Sequence, residues 1–506
     1  MRVEDLLAGS AAADPAKTAI VADGARLSYG ELDAMSDALA RNLVAREVRR
    51  GDRVIVLMDN VWEAAVAIFG VLKAGAVFCP VNPAQKADGL RFVIESCRPR
   101  VILTQARHVA MCGAALADLA ETPIIIAAGA AIPPGGVIES FEACLAASGA
   151  LLPQTDSGDD LAMLIYTSGS TGWPKGVMMS HAGMDFASAA IASYLGNTAG
   201  DVVLSALPIS FTYGLYQLLV AVRVGATLVL EKNFAFPAAV LETARIERVT
   251  GLPLVPTMAS LVLSMKDLRP GALPSLRYVT NAAAPLPPIH IEGLQRLFPG
   301  VRLYSMYGMT ECARAAYLPP EEIGQRPGSI GKAMPGTKVA IVDEAGRPVT
   351  AGETGELLVQ GPHLMRGYWQ DEAATRIALR ENPQLGGTWL HTGDLFRADD
   401  DGFLTFVGRR DDMLKVRGEK VAPKQVEAVL HDCPGVAEAV VIGRPDPVAG
   451  HLLHAVVVRN SPALTEREVM RHCAARLPDV MVPRSVEFRA ELPRTASGKV
   501  ARRLVA

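Results

Sequence analysis

The sequence predicts an α/β protein. It consists of a large N-terminal domain of several subdomains on βαβ-type sheets and a small, mobile C-terminal α+β domain. Three observations carry this expectation. The chain has 506 residues, well beyond the ~150 residues of one core-sized unit. Half of the residues are hydrophobic and 20% are charged, so a large buried core is available and disorder is excluded as the main state. Short apolar runs alternate with helix-like segments, and this pattern restarts on a smaller scale after residue 408.

The elements follow in order. Arg53-Val54-Ile55-Val56-Leu57 is a β-branched run, as a buried parallel strand requires. A helical pattern over residues 62–72 stops at Gly75, and the next apolar run, Ala76-Val77-Phe78-Cys79, ends at Pro80. Val101-Ile102-Leu103 and Pro123-Ile124-Ile125-Ile126 repeat the strand theme. Residues 127–136 are rich in Ala, Gly and Pro and read as a surface loop. Residues 161–165 read as a strand. Gly408-Arg409-Arg410-Asp411-Asp412 is a polar junction and reads as a linker. Beyond it, residues 424–431 look helical, 436–442, 453–458 and 486–488 look like strands, and Thr465-Glu466-Arg467-Glu468 has the spacing of a capping box opening a helix towards Leu477. The expected division is therefore 1–408, a hinge at 409–412, and 413–506.

Composition narrows the function. Lys plus Arg is 50 against 53 for Asp plus Glu, a net charge of −3, which argues against a protein that coats nucleic acid. The seven cysteines are scattered with no CxxC pair, which argues against a zinc ribbon or a disulfide scaffold and suits a reducing, cytoplasmic setting. The N-terminal residues lead into no long apolar run, and no uninterrupted apolar stretch reaches ~18 residues, so neither a secretory signal nor a membrane span is expected.

The sharpest motif is Tyr166-Thr167-Ser168-Gly169-Ser170-Thr171-Gly172-Trp173-Pro174-Lys175-Gly176. A loop of Gly, Ser and Thr after a strand offers backbone N–H and hydroxyl groups to phosphate oxygens, and Lys175 adds a point charge. The spacing is not that of a Walker loop. This string resembles the phosphate loop of the AMP-forming adenylating enzymes: acyl- and aryl-CoA synthetases, peptide-synthetase adenylation domains and luciferases. Four further strings resemble that superfamily's motifs in the same order. They are Tyr304-Ser305-Met306-Tyr307-Gly308-Met309-Thr310-Glu311, Trp389-Leu390-His391-Thr392-Gly393-Asp394, Gly408-Arg409-Arg410-Asp411-Asp412-Met413-Leu414-Lys415, and Pro493-Arg494-Thr495-Ala496-Ser497-Gly498-Lys499. The resemblance spans essentially the whole chain and is nearest in wording to the acyl- and aryl-acid–CoA ligases.

The resemblance implies a reaction and a set of roles. A carboxylate is joined to the α-phosphate of ATP, pyrophosphate leaves, and a thiol takes the acyl group from the acyl-adenylate. ATP, Mg²⁺ and CoA are the implied cofactors. Two anions must meet, so positive charge has to offset their repulsion. Lys499 is the implied agent of that step, with Thr310 donating to the α-phosphate. Glu311, together with Thr171 of the loop, is the implied Mg²⁺ holder, since a hard cation takes carboxylate and phosphate oxygen. Thr167, Ser168, Gly169, Ser170, Gly172 and Lys175 would surround the phosphates. Ala283, Tyr307 and Gly308 would border adenine. Asp394 would accept from the ribose hydroxyls, and Arg409 would reach ribose or phosphate. Asp411 resembles a hinge about which the small domain rotates, withdrawing Lys499 and bringing in Lys415, Arg417 and Gly418 on the pantetheine side.

Specificity is expected between the phosphate loop and Glu311. The segment holding Phe211, Thr212 and Tyr213 resembles the acid-binding segment of coumarate-type ligases, with Phe211 where those usually carry His. Thr212 stands where amino-acid-activating domains carry Asp, which disfavours an α-amino acid, because a buried ammonium needs a paired charge. Asn281 and Ala282 would border the acyl group, with Met309 nearby. Met306 stands where many ligases for bulky acids carry Gly, which favours a small aryl or short-to-medium acyl acid. Arg314 could pair with a second anionic group but reads more simply as a surface residue. The acceptor is expected to be CoA, with the phosphopantetheine of a separate carrier protein as the alternative, and the assembly a monomer or homodimer.

Overall fold

The computed structural model describes residues 1–129, 138–146, 157–167, 174–417, 419–446, 450–494 and 500–505. Among them the strands form three sheets. The predicted α/β class is what is found. The largest sheet has a parallel centre. Thr227–Leu230, Val202–Ser205, Gly251–Leu254, Tyr278–Asn281 and Arg302–Tyr307 lie side by side, with helices between them in sequence. These strands are near-continuous apolar runs because both faces are covered. The sheet then turns antiparallel through Ala316–Leu318, Ser329–Ala333, Leu404–Arg409, Thr388–Ala398, Thr354–Gln360 and Lys338–Val342.

The second sheet runs in the order Gly367–Tyr368, Lys175–Ser180, Leu161–Thr167, Val77–Pro80, Arg53–Leu57, Val101–Gln105, Ile124–Ala128 and Ile138–Ser140. The helix Trp62–Lys73 is buried along almost its whole length and crosses the helix Tyr29–Ala45. Gly70 allows that crossing, since a Cβ there would sit 2.8 Å from a Leu39 methyl. Lys73, at the helix end, is buried but paired with Asp33 and Asp37, each at 2.6 Å, as a desolvated ammonium requires. One continuous core runs under both large sheets, from Val3 to Leu404.

The third sheet is drawn entirely from residues after 413. It consists of Glu419–Val421, Leu414–Val416, Gly450–Arg459 and Val436–Asp446, with Ser485–Arg489 parallel to Gly450–Arg459. The helices Pro423–His431 and Glu466–Ala474 accompany it. The latter opens with the expected capping box, Thr465 with Glu468, and ends three residues short of Leu477. A separate core, from Val416 to Val486, lies beneath.

Two local expectations fail. Ala127 and Ala128 are not surface loop: both are buried at the end of Ile124–Ala128, because their parallel partners Thr104 and Gln105 extend the ladder past the isoleucines. Residues 130–136 of that loop lie outside the described residues. Gly408 and Arg409 are not linker. They close the strand Leu404–Arg409, where pairing with Thr388–Ala398 outweighs their polar character.

Candidate active site

The parallel strands end together at their carboxyl edge, where open α/β sheets bind ligands. Arg302–Tyr307 delivers Met306 and Tyr307 to that edge, and Gly308, Met309, Thr310 and Glu311 follow as a tight turn. Gly308 is required there, since a Cβ would lie 2.3 Å from the Ala313 carbonyl oxygen. The turn folds back through Ala313 at φ +55°, and Ala315 N donates to the Tyr307 carbonyl at 2.9 Å.

Glu311 is only 8% exposed. Tyr368 Oη donates to its Oε1 at 2.9 Å, and among the described residues its second oxygen accepts no hydrogen bond. Burial pushes the Glu311 carboxyl up from its ordinary value, and the Tyr368 bond opposes that rise. Tyr368 is placed by the pairing of Gly367–Tyr368 with Lys175–Ser180, and Lys175 Nζ lies 5.1 Å from the centre of its ring. Tyr368 therefore joins the end of the phosphate loop to Glu311. A single buried carboxylate with one open oxygen beside a lysine fits a Mg²⁺ held partly by substrate phosphates.

Asp394 forms the second centre and is 7% exposed. Tyr307 Oη donates to its Oδ2 at 2.6 Å, and Arg409 Nε donates to its Oδ1 at 2.9 Å. The second contact follows from register, because Asp394 and Arg409 are direct partners across two antiparallel strands. Burial, reinforced by the Asp394 charge, drives the Tyr307 phenol far above its usual range, so it stays protonated and donating. The Tyr307 ring meets Phe396 edge-on at 4.9 Å. Behind Asp394, Glu356 accepts from Gly393 N at 3.0 Å and Arg410 at 3.1 Å, with His391 at 3.3 Å. Burial opposes ionisation of Glu356, yet these bonds hold its carboxyl below the ordinary range. They fix the left-handed turn at Gly393, φ +70°, from which Asp394 projects.

The acid-binding candidates gather beside Met306. Met306 is buried, with Tyr194 Oη 3.0 Å from its sulfur. Tyr194 stacks on Tyr317 at 4.1 Å. Phe211 precedes the helix Thr212–Val224 and Thr212 opens it. From that helix, Tyr213 Oη bonds the Thr280 carbonyl at 3.0 Å and lies 2.8 Å from its hydroxyl. Asn281 is buried and donates to the Ala284 carbonyl at 2.9 Å, bracketing Ala282 and Ala283. Ala283 holds φ +73°, a strained geometry for a residue with a side chain. Arg314 is not on the surface. It is 4% exposed, with its guanidinium 5.2 Å from the Tyr213 ring centre. It follows Ala313, whose left-handed backbone has no signature in the sequence.

Other candidates are not brought together here. Lys415 lies in the hairpin of Leu414–Val416 and Glu419–Val421. Arg417, at its tip, pairs with Asp479 at 2.6 Å. No hydrogen bond or ion pair among the described residues joins either to Glu311, Asp394 or Lys175. Asp411 is exposed in a single turn, Arg410–Asp412. Thr167 ends the strand Leu161–Thr167. Ser168, Gly169, Ser170, Thr171, Gly172, Gly418 and Lys499 lie outside the described residues. Sequence reasoning missed Tyr368, Tyr194 and Glu356, since each acts through a tertiary contact with no motif of its own. No helix among the described residues is long and apolar enough to cross a membrane.

This geometry has close relatives. An indoleacetate–CoA ligase of Aromatoleum aromaticum is 34% identical over 505 residues, covering 99% of this chain and 96% of the relative. An L-proline–[L-prolyl-carrier protein] ligase of Streptomyces coelicolor is 33% identical over 491 residues, covering 94% and 90%. The crystal structure of an anthranilate CoA ligase with anthranoyl-AMP superposes with a TM-score of 0.92 at 28% identity, covering 100% of this chain and 96% of that one. Residues 7–369 match the AMP-binding enzyme family and residues 425–499 its C-terminal domain. With the two buried carboxylates at the carboxyl edge and the motifs in order along one chain, the protein belongs to the AMP-binding enzyme family.

Proposed function

We propose that this chain is an ATP-dependent acid–thiol ligase that uses CoA. The carboxylate oxygen of the acid attacks the α-phosphorus of ATP, the bond to the β-phosphate breaks, and pyrophosphate leaves. The thiol sulfur then attacks the acyl carbon, the bond to AMP breaks, and the thiol proton passes to solvent. The observation that carries this reading is the pair of anchored carboxylates. Asp394 is held by Tyr307 and Arg409, and Glu311 is held by Tyr368 beside Lys175.

The residues divide the work. Asp394 accepts from the ribose hydroxyls, with Arg409 and Tyr307 fixing its direction. Lys175 and the Gly/Ser/Thr loop take the β- and γ-phosphates, and Thr310 donates to the α-phosphate. Glu311 would hold Mg²⁺ with its open oxygen, and Thr171 would assist. The ion supplies charge that offsets phosphate repulsion as pyrophosphate departs. Lys499 brings an ammonium to the carboxylate and phosphate oxygens, stabilising charge as it develops. A hinge in the turn Arg410–Asp412, with Asp411 as pivot, between the large domain and 413–506 lets Lys499 withdraw while Lys415, Arg417 and Gly418 approach the thiol. Met306 closes the acyl pocket and favours a small aryl or short-to-medium acyl acid.

A second reading keeps the adenylation and changes the thiol to the phosphopantetheine of a separate carrier protein. The similarity to a prolyl-carrier-protein ligase favours it. Acid-dependent ATP–pyrophosphate exchange over benzoates, cinnamates, fatty acids, dicarboxylic acids and amino acids tests what the two share. Exchange with one class supports the reading, and silence with intact ATP binding across the panel counts against it. Thioester formation with CoA or with a phosphopantetheinylated carrier then separates them.

A further inference from the structure

Arg314 is a buried cation without a counter-ion. It is 4% exposed, and among the described residues no carboxylate lies within ion-pair distance of it. Glu311, three positions earlier, turns the other way, to Tyr368. The surroundings of Arg314 are aromatic. Its guanidinium faces the Tyr213 ring at 5.2 Å, and its charge acts on the phenols of Tyr194, Tyr213 and Tyr216. Its Nε is buried with no hydrogen-bond partner, and so is the hydroxyl of Tyr216.

A ring face offsets part of the cost of dehydrating a cation, but it leaves N–H donors unmet. A buried guanidinium kept without an acid partner is matched to an anion that arrives from outside. Its position says which anion. Tyr194 touches Met306 at 3.0 Å and interacts with Arg314, so Arg314 lies beside the residue that closes the acyl pocket. Arg314 directly follows Ala313, which holds a strained φ of +55°.

We infer that the acid carries a second carboxylate, which seats on Arg314 against Tyr194, Tyr213 and Tyr216, so that the substrate is a dicarboxylic acid activated at one end only. This rests on the acid–thiol ligase reading and sharpens it. The reacting carboxylate meets the α-phosphate, and the distal one pairs with the guanidinium fork. A monocarboxylic acid of the same length would place an apolar end against an unpaired cation. Sites built to pair a substrate's polar group reject analogues lacking it by factors of ~10⁴–10⁵.

The test uses stable mimics of the adenylate, 5′-O-(N-acylsulfamoyl)adenosines, with the full-length protein and isothermal titration calorimetry. One series carries a terminal carboxylate, from malonyl to adipoyl plus 3-carboxybenzoyl. The matched series, acetyl to hexanoyl plus benzoyl, lacks it. The inference expects the best carboxylate-ended mimic to bind at least ~30-fold more tightly than the best plain one, a conservative fraction of that rejection factor. It expects Arg314→Gln to remove the difference by weakening the carboxylate-ended series, with the plain series bound no less tightly than before. Equal binding of the two series by the unaltered protein overturns the inference and leaves the ligase reading intact. Failure of every mimic to bind overturns both. The wild-type comparison needs no variant, so it decides even if Arg314→Gln does not fold.

Discussion

The phenol of Tyr307 donates a 2.6 Å hydrogen bond to Asp394 Oδ2, tying the end of a parallel strand to an antiparallel strand 87 positions later in the chain. Tyr307→Phe keeps the ring against Phe396 and deletes the donor. A hydrogen bond to an ionised carboxylate contributes about 1.5–3 kcal/mol. Asp394 would keep Arg409 but lose one of two constraints on its direction. The expected result is a KM for ATP raised about three- to tenfold with kcat little changed, because the lost contact does not touch the reacting atoms. Steady-state kinetics with ATP varied at saturating acid checks this. A fall in kcat alone would place Tyr307 in the chemistry instead.

Tyr368→Phe tests the second carboxylate. Burial already raises the Glu311 carboxyl, and the Tyr368 bond holds the rise in check. Without that bond the carboxyl rises further, so Glu311 takes up a proton at higher pH. A group that must be ionised to hold a cation then fails earlier on acidification. The acid limb of kcat/KM should move to higher pH, and the Mg²⁺ concentration for half-maximal activity should rise several-fold. Both profiles are read from rates at limiting and saturating Mg²⁺, and chelation should abolish exchange in either protein. Coincident profiles for variant and wild type would show that the tyrosine does not support the cation site.

Lys499→Ala should abolish formation of the adenylate while largely sparing thioester formation from a supplied acyl-adenylate. The lysine is assigned to the first half-reaction only and leaves during the second. Exchange measures one half, and thioester release from synthetic acyl-adenylate measures the other. Loss of both in a folded protein would sink the account in which the small domain alternates between two poses.

The alternating sheets were legible because buried parallel strands are continuous β-branched runs, as in Arg53–Leu57 and Ile124–Ala128. The capping box at Thr465 was legible because its spacing is local. What local pattern could not show was register. Arg409 read as linker because it is polar, yet it is the ladder partner of Asp394. Tyr368 carries no motif and matters only because its two-residue strand pairs with the one that begins at Lys175. Arg314 read as a surface residue because nothing in the residues around it announces that Ala313 takes a left-handed turn.

Met306→Gly should extend the range of acids accepted. The Met306 side chain is buried, touches Tyr194 and stands opposite Tyr317 across the ladder, so its removal opens space beside Tyr194 and Tyr317. Emptying a buried methionine costs about 2–5 kcal/mol, and glycine in a strand adds roughly 0.5–1 kcal/mol, so the variant should also melt earlier. Exchange rates over acids of increasing length, taken well below the melting temperature, should peak at a longer acid than in the wild type. An unchanged length profile would mean that Met306 packs the core without bounding the pocket.

His181 should set an acid limit on stability that is independent of catalysis. The ring is fully buried. Its Nδ1 accepts from Val3 N at 3.1 Å, with a Glu4 carboxylate oxygen 3.3 Å away. Burial, with the nearby Arg2 charge, lowers its pKa to about 3. An unfolded histidine titrates near 6.5. Between those values the unfolded chain binds a proton that the folded chain refuses, so stability present above pH 6.5 is lost as pH falls towards 3. Glu4 works the other way, since burial raises its pKa and it takes up a proton more readily when folded. The histidine contribution from pH 6.5 to pH 5 is about 2 kcal/mol at most, at about 1.4 kcal/mol per unit, and Glu4 trims it. His181→Asn removes the titrating group and keeps an acceptor within reach of Val3. The variant should be less stable than wild type at pH 8, and the gap should narrow by roughly 1–2 kcal/mol by pH 5. Denaturant unfolding across that range measures the gap. Parallel curves for the two proteins would show that His181 is protonated without cost in the folded chain, and would move the origin of acid sensitivity elsewhere.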